Sequence, residues 1–197
     1  YTALHGTGKE IMPRVLQRIG IEDLVIEATQ SIPDGTFPTC PRPNPEEKEA
    51  LSLGLKLADI HASDLLLATD PDADRLGIAV RHNDGYVPLS GNETGILLLD
   101  FICNMIEESG DSLHDRIAVT TIVSAPMADD LALQRGFQLR RTLTGFKFIG
   151  EQIGILDSKG AANRFLFGFE ESYGFLSGTY VRDKDAMVAA MLICEAA

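Results

Sequence analysis

The chain has 197 residues, of which 45% are hydrophobic and 23% charged. This composition is typical of a globular protein and not of a disordered or fibrous one. The formal net charge is −12, from 29 acidic and 17 basic residues, so we do not expect a general attraction to nucleic acid or to anionic lipid. Apolar runs such as 65–69 and 96–99 are too short to span a membrane. Three widely spaced cysteines, Cys40, Cys103 and Cys194, indicate reduced thiols in a cytoplasmic protein.

Strand and helix patterns alternate along the first 90 residues. Segment 1–4 is typical of a strand, and apolar residues then recur at helical spacing from Ile11 to Ile19. Segment 32–45 contains five prolines and is predicted to be a loop. Asn44-Pro45-Glu46-Glu47 predicts a helix capped by Asn44. This helix should end near residue 61, and the other predicted elements are strands at 24–26, 64–69, 76–80 and 86–89, with a hairpin turn at 83–85.

The second half repeats this alternation. Gly91-Asn92-Glu93-Thr94 opens a predicted helix that reaches about residue 109. A strand-Gly-helix turn occurs in each half, at Leu4-His5-Gly6 and at Leu143-Thr144-Gly145, which suggests duplicated α/β domains with a boundary near residue 90. Further predicted strands are 116–123, 137–142 and 164–169, and further predicted helices are 126–135, 146–155 and 185–197.

An acidic loop lies between two apolar strands. Asp70, Asp72 and Asp74 alternate along it, so an extended loop could direct three carboxylates to one side. A hard divalent cation would relieve their repulsion, and Mg²⁺ prefers such oxygen ligands. Arg75 follows directly and could meet phosphate oxygens.

Three other interpretations of the acidic loop were considered. A solvated acidic turn is the simplest. A calcium EF-hand is rejected, because its sixth and twelfth positions, counted from Asp70, are Arg75 and Arg81 instead of Gly and Glu. A phosphatase with an aspartyl nucleophile would also place aspartates after a strand, and it stays open.

A second loop, Phe167-Gly168-Phe169-Glu170-Glu171-Ser172-Tyr173-Gly174, follows another apolar strand. Glycines around two carboxylates and a hydroxyl suit a loop that hydrogen-bonds a polyhydroxylated ligand. A solvated pair of glutamates is the alternative. Taken alone, this loop therefore only suggests sugar binding.

Four motifs in order carry a more specific signal. They are Leu4-His5-Gly6-Thr7-Gly8, Thr69-Asp70-Pro71-Asp72-Ala73-Asp74-Arg75, Thr144-Gly145-Phe146-Lys147 and Glu170-Glu171-Ser172-Tyr173-Gly174. With these motifs the chain resembles the α-D-phosphohexomutases, the phosphoglucomutase and phosphomannomutase family, in its second and third domains. The resemblance implies two successive three-layer α/β domains with mixed sheets and similar topology. Residues 1–90 would form a metal-binding domain and residues 91–197 a sugar-recognition domain.

The resemblance also implies a function. The family moves a phosphoryl group between the 1- and 6-positions of a hexose through a phosphoserine and a bisphosphorylated sugar. The implied roles are Mg²⁺ binding by Asp70, Asp72 and Asp74, phosphoserine contact by Arg75, sugar binding by Glu170 and Ser172, discrimination of two sugar orientations by Thr144, Gly145 and Phe146, and acid/base catalysis by Lys184. An exposed lysine at a helix start is the alternative for Lys184, and His5 is expected to be structural.

Departures from the family pattern limit these expectations. None of the ten serines has the His and Asn neighbours of the family's nucleophile, and Ser124 receives no catalytic role. We expect a central fragment that is inactive alone and that needs the remaining domains of the same enzyme. Ala3 replaces a common proline with little effect, whereas Tyr173 favours glucose phosphate over mannose phosphate as substrate. A magnesium-dependent sugar phosphatase and a non-catalytic sugar-phosphate-binding module remain the alternatives.

Overall fold

The computed structural model describes all residues, 1–197, and divides into two compact units. The first comprises residues 1–90 and 185–195, and the second comprises residues 91–184 and 196–197. Segment 185–195 packs with the first unit, whereas the predicted boundary places it in the second domain. It lies in helix α6, Ala186–Ala196, which buries the small apolar face formed by Ala186, Ala189, Ala190 and Ile193.

The first unit is built on an antiparallel sheet in the order β1-β2-β3. A parallel bridge joins Thr2 to Ala68 of β1, so the paired backbone is mixed in direction. Ala58 of α2 packs against Leu66 of β1 and Ala79 of β2 in a small core. The elements of this unit are α1 (Gly8–Arg18), α2 (Lys48–His61), β1 (Leu65–Thr69), β2 (Leu76–His82) and β3 (Gly85–Leu89), with α6.

The predicted strands at 1–4 and 24–26 are wrong as regular strands, although their backbones do pair. The Tyr1 amino group donates to the carbonyl of Val25 at 2.7 Å, and the Glu27 amide donates to the carbonyl of Tyr1 at 2.9 Å. Beyond Ala3 the backbone turns, because Leu4 and His5 have φ values of 46° and 63°. The pairing is therefore parallel in pattern but too short to form a ladder.

The start of α2 also differs from the prediction. The helix begins at Lys48, and Asn44 does not cap it. Instead, Asn44 Oδ1 accepts from the Glu46 amide at 3.1 Å, and the Asn44 carbonyl accepts from the Glu47 amide at 2.9 Å. Asparagine side chains form such local turns as readily as they cap helices, and Asn44 forms the turn.

The second unit has a four-stranded sheet in the order β5-β4-β6-β7. Strands β5, β4 and β6 are parallel, and β7 is antiparallel to β6. All five residues of β4 and of β6 are buried, as expected for parallel strands covered on both faces. The elements are α3 (Gly91–Glu108), β4 (Ile117–Thr121), α4 (Met127–Arg135), β5 (Gln138–Thr142), α5 (Phe146–Ser158), a 3₁₀ turn (Ala162–Arg164), β6 (Phe165–Phe169) and β7 (Phe175–Leu176).

Helices cover both faces of this sheet. On one face, Ile149 and Ile153 of α5 pack with Ile117 and Phe165 in the main core. On the other, Gly95 of α3 lies against the ring of Phe169. The predicted α/β class with mixed sheets is confirmed, whereas β7 was not predicted because two residues carry no periodicity. No helix has the length and apolarity that crossing a lipid bilayer requires.

The two units share a strand plan. In the first unit, central segment 1–3 lies between segment 25–27 and strand β1, and β1 is followed by the antiparallel strand β2. In the second unit, central strand β4 lies between β5 and β6, and β6 is followed by the antiparallel strand β7. The two turns that precede a helix do not occupy equivalent places in their sheets, because Leu4-His5-Gly6 follows a central segment whereas Leu143-Thr144-Gly145 follows the outer strand β5. The counterpart of the first turn is segment 122–125, after β4.

Candidate active site

The acidic loop begins at the carboxyl end of β1, beside the central segment of the first unit. The chain order of these parallel segments reverses at that point, and α/β sheets bind ligands at such switch points. One carboxylate oxygen from each of Asp70, Asp72 and Asp74 lies within 4.8 Å of the other two. Asp70 is buried, Asp74 is half-buried and Asp72 is exposed. The predicted cluster of three carboxylates therefore forms.

Asp70 organises this loop. Its Oδ1 accepts from the backbone amides of Asp74 at 3.1 Å and Arg75 at 2.9 Å. Burial, followed by the nearby charges of Asp74 and Asp72, raises the pKa of Asp70 to about 7, against the lowering effect of the Arg75 amide. Three crowded carboxylates outnumber the one nearby arginine, and a divalent cation would add positive charge beside it.

Gly6 and Thr7 hold the acidic loop from the facing turn. The Thr7 amide donates to the carbonyl of Pro71 at 2.8 Å. A Cβ on Gly6 would lie 2.3 Å from Pro71 Cα, so only glycine allows this approach. The loop is therefore supported by backbone contacts on the neighbouring segment.

His5 ties the same turn to the proline-rich loop. Its Nδ1 lies 2.8 Å from the carbonyl of Ile32, which can only accept, so Nδ1 carries the proton. Its Nε2 lies 2.9 Å from the Thr39 hydroxyl oxygen. Both ring nitrogens are used within the protein, in agreement with the expectation of a structural histidine.

Arg75 lies between two carboxylates. Its Nε is 3.7 Å from Asp70 Oδ2, and its Nη1 is 3.6 Å from Glu46 Oε1. The side chain of Arg75 remains 34% exposed. The guanidinium is therefore oriented by acidic neighbours and still open to an anion.

In the second unit, the Glu170–Gly174 loop follows β6 at the corresponding switch point. Glu170 is buried, and its Oε1 accepts from the Gly145 amide at 2.7 Å. Its own amide donates to the carbonyl of Gly174 at 2.9 Å, which closes the loop, and Tyr173 turns it with φ of 67°. Glu170 thus connects two of the predicted substrate loops.

The neighbouring glutamate makes different contacts. Oε2 of Glu171 accepts from the hydroxyls of Thr121 at 2.8 Å and Ser124 at 2.9 Å. These residues lie at the carboxyl end of β4. The two adjacent glutamates therefore bind two different loops.

The remaining predicted substrate residues occupy distinct environments. Ser172 is half-buried and its hydroxyl has no hydrogen-bond partner within the chain, whereas Thr144 is exposed. Phe146 is buried in the main core of the second unit and leaves little surface for a ligand. The predicted contact of Phe146 with substrate stays a prediction.

Lys184 is not the exposed lysine of the alternative interpretation. Its side chain is only 16% exposed, and its Nζ lies 3.3 Å from Asp183 Oδ1 and 5.9 Å from the centre of the Phe146 ring. A Cβ on Gly174 would lie 2.5 Å from Lys184 Cδ. The stem of Lys184 therefore packs beside the second loop.

Sequence comparison accounts for this arrangement over nearly the whole chain. The model for phosphoglucomutase/phosphomannomutase α/β/α domain II matches residues 1–85, and the model for α/β/α domain III of the same family matches residues 90–197. The chain belongs to this family. A phosphoglucomutase of Staphylococcus aureus (strain USA300) is 40% identical over 194 residues, which are 98% of this chain and 34% of that protein. The chain thus spans about a third of the length of the curated relatives it matches.

Solved structures agree on the fold. A phosphoglucomutase/phosphomannomutase family protein from Burkholderia thailandensis superposes with a TM-score of 0.76 at 18% identity, over 98% of this chain and 38% of that one. An N-acetylglucosamine-phosphate mutase, described as a member of the α-D-phosphohexomutase superfamily, superposes with a TM-score of 0.52 at 15% identity, over 99% of this chain and 44% of that one. Likeness at these identities supports the two phosphohexomutase domain folds.

Sequence reasoning missed the residues that support the two phosphohexomutase loops. Glu46 pairs with Arg75, and Thr121 and Ser124 bind Glu171. Ser124 lies just after β4, and its position at the carboxyl end of a buried strand was the available signal. It was overlooked because contacts between residues 47 positions apart leave no local pattern.

Proposed function

We propose that this chain is the central part of a phosphohexomutase that interconverts hexose 1-phosphate and hexose 6-phosphate, with glucose favoured over mannose. The observation that carries the proposal is the cluster of Asp70, Asp72 and Asp74, with Arg75 attached, in a chain of this family. The similarity to a phosphoglucomutase supports the preference for glucose. The phosphoserine of the reaction would come from outside these 197 residues.

The three aspartates fit a Mg²⁺ ion. Magnesium bonds of about 2.1 Å allow opposite ligand oxygens to lie about 4.2 Å apart. The three carboxylate oxygens lie within 4.8 Å of one another, and the side chains must close further for all three to bind one ion, because adjacent ligands of an octahedral ion lie about 3 Å apart. A bound Mg²⁺ ion supplies charge neutralisation to a phosphoryl group during transfer.

Arg75 is the proposed phosphate contact. Its planar guanidinium can donate to two phosphate oxygens, and its charge complements the same group. Asp70 and Glu46 limit the positions that the guanidinium samples. Pre-oriented donors of this kind stabilise charge that develops in a transition state.

In the second unit, Glu170, Ser172, Thr144 and Gly145 are the proposed sugar contacts. The unpartnered Ser172 hydroxyl and the exposed Thr144 hydroxyl can both donate to sugar oxygens. Lys184 is the proposed acid/base group that transfers the proton of a sugar hydroxyl. Phe146, whose ring centre lies 5.9 Å from Lys184 Nζ, belongs with Thr144 and Gly145 to the set proposed to distinguish the two sugar orientations.

The proposal includes the cellular setting. Three free thiols favour a reducing, cytoplasmic location. The proposed partners are a hexose phosphate and the remaining domains of the same enzyme. We expect no mutase turnover from the isolated 197-residue chain.

The test uses the full-length protein that contains this chain. With Mg²⁺ and a trace of hexose bisphosphate, we expect conversion of glucose 1-phosphate to glucose 6-phosphate, slower conversion of mannose 1-phosphate, and loss of both in EDTA. Absence of turnover with either sugar would contradict the proposal.

A phosphatase would give a different result. It would release inorganic phosphate and carry an acyl phosphate on Asp70, detectable by hydroxylamine-sensitive labelling and lost in Asp70→Asn. We expect no such label, because Asp70 Oδ1 is already bonded to two backbone amides. A protein that binds hexose phosphate without converting it would instead be a non-catalytic binding module.

A further inference from the structure

Glu171 has no role in the proposed sugar contacts, yet its carboxylate is fully engaged at one oxygen. Oε2 accepts from Thr121 Oγ1 at 2.8 Å and from Ser124 Oγ at 2.9 Å, and these two hydroxyls are themselves 2.8 Å apart. Both hydroxyl residues are buried, so neither has water as an alternative partner. Hydrogen bonds to an ionised, partly buried acceptor are among the stronger ones in proteins.

The hydroxyl partners are themselves held in place. Arg141 Nη1 donates to the carbonyls of Thr121 at 2.7 Å and Ser124 at 3.2 Å. Its Nη2 donates to the carbonyl of Ala125 at 3.1 Å and to Asp129 Oδ2 at 2.6 Å. Arg141 therefore holds segment 121–125 in place, and the Glu171 carboxylate is hydrogen-bonded to that segment.

The backbone of Glu171 is constrained as well. A Cβ on Gly91, the first residue of α3, would lie 2.2 Å from the Glu171 carbonyl oxygen. The loop thus rests on the helix start while the Glu171 side chain binds β4. Its neighbours differ, because Glu170 bonds the Gly145 amide and the Ser172 hydroxyl has no partner within the chain.

We propose that Glu171 is a positioning residue, which sets the conformation of the Glu170–Gly174 loop and so the placement of Glu170 and Ser172 against the sugar. This inference rests on the proposed function. Without the Glu171 carboxylate, two buried hydroxyls lose their acceptor and the loop loses its attachment to β4. Errors of about 1 Å in substrate placement can cost about 100-fold in rate.

The test compares Glu171→Ala, Glu171→Gln and Ser124→Ala in the full-length protein. We expect Glu171→Ala to lower kcat/KM for glucose 1-phosphate about 10- to 100-fold, through misplaced substrate. Glu171→Gln keeps an acceptor oxygen and should stay within about 5-fold of the parent. The double variant Glu171→Ala with Ser124→Ala should be no worse than Glu171→Ala alone, because both changes remove one shared contact. The matched control is Glu151→Ala, which removes an exposed carboxylate from α5.

Further readouts separate positioning from general stability. Mn²⁺ affinity of the acidic loop should be unchanged in Glu171→Ala, whereas glucose 6-phosphate should bind at least about 10-fold more weakly in calorimetry. A folded Glu171→Ala with parental kcat/KM and parental sugar-phosphate affinity overturns the inference. If Glu171→Ala does not fold, the inference is tested with Ser124→Ala and Thr121→Val. Parental kinetics in both of these variants would also overturn the inference.

Failure of the proposed function gives a different pattern. The parent protein would then show no mutase turnover. The role of Glu171 would be tested only by comparing the glucose 6-phosphate affinities of the parent and Glu171→Ala in calorimetry. Equal sugar-phosphate binding by parent and Glu171→Ala, or binding by neither, would overturn the inference in that case.

Discussion

The acidic loop 70–75 and the loop 170–174 follow corresponding strands, β1 and β6, but their carboxylates have different surroundings. In the first, three aspartates crowd together, and Asp70 has a pKa raised to about 7. In the second, Glu170 and Glu171 each accept hydrogen bonds from a neighbouring loop. One strand plan thus supports a loop in which three carboxylates share one arginine and a loop whose carboxylates accept hydrogen bonds from neighbouring loops. The first is suited to bind a cation and the second to present hydroxyl and backbone groups in fixed positions.

The largest expected effect comes from removing charge in the acidic loop. We expect Asp72→Asn with Asp74→Asn to weaken Mn²⁺ binding at least 100-fold and to abolish turnover, since losing two of the proposed ligands costs more than the roughly 10- to 100-fold of supporting residues. In EDTA the same variant should unfold at a higher temperature, because like charges no longer repel. Spin-resonance titration of Mn²⁺ and thermal unfolding measure the two effects. Asp59→Asn, an exposed position on α2, is the control, and unchanged Mn²⁺ affinity would contradict the prediction.

Arg75 in the acidic loop and Arg141 in β5, which supports the partners of Glu171, should also differ in their effects on rate and stability. Arg75→Ala is expected to lower kcat about 100-fold, as for removal of one transition-state donor, with a change of less than about 1 kcal/mol in the free energy of unfolding. Arg141→Ala should have the reverse balance. It removes a donor from three backbone carbonyls, of which those of Thr121 and Ala125 keep a backbone amide as donor, and we expect it to cost about 1 to 3 kcal/mol in the free energy of unfolding. Urea unfolding and steady-state kinetics on both variants would break the comparison if the two profiles were alike.

A smaller effect is expected from two glycines that support the loops. A Cβ on Gly6 would meet Pro71, and one on Gly91 would meet the Glu171 carbonyl. Each substitution to alanine should cost about 1 to 3 kcal/mol in the free energy of unfolding, as overpacking does elsewhere. Only Gly6→Ala should weaken Mn²⁺ binding, by about 10-fold, and only Gly91→Ala should raise KM for glucose 1-phosphate. Gly85→Ala, where nothing lies within 4 Å, is the control. Equal effects of both variants on Mn²⁺ affinity would argue against separate roles.

The smallest effect is expected at the edge of the acidic loop. Glu46→Gln removes one carboxylate beside Arg75 and leaves Asp70 as the other. Both members of the pair are more than a third exposed, so the contact is worth about 0.2 to 1 kcal/mol, or about 1.4- to 5-fold in kcat/KM. A loss above about 30-fold in steady-state kinetics would mean that Glu46 has a larger role than orienting Arg75.

Much of the fold followed from local pattern. The helix α5, with its buried residues at helical spacing, and the fully buried strands β4 and β6 lie where their residues predicted them. The start of α2 did not, because Asn44 had two local options, a cap and a turn, and the choice depends on the path of the proline-rich loop. The short segments 1–3 and 25–27 pair only through contacts 24 or more positions apart, which no local pattern encodes.

The acidic loop shows what the sequence by itself determined. Alternating aspartates after a buried strand were enough to predict clustered carboxylates, because the strand sets where the loop begins. The extended loop assumed in that prediction is wrong, since the Ala73 amide donates to the Asp70 carbonyl at 3.0 Å and Ala73 has a φ of 60°, so a turn brings the carboxylates together. Only the tertiary structure decided which residues support that loop and its counterpart. Gly6 against Pro71, Glu46 beside Arg75, and Thr121 with Ser124 on Glu171 join distant parts of the chain. Such contacts exist only once the sheets bring their strand ends to one edge, so they are a property of packing and not of local sequence.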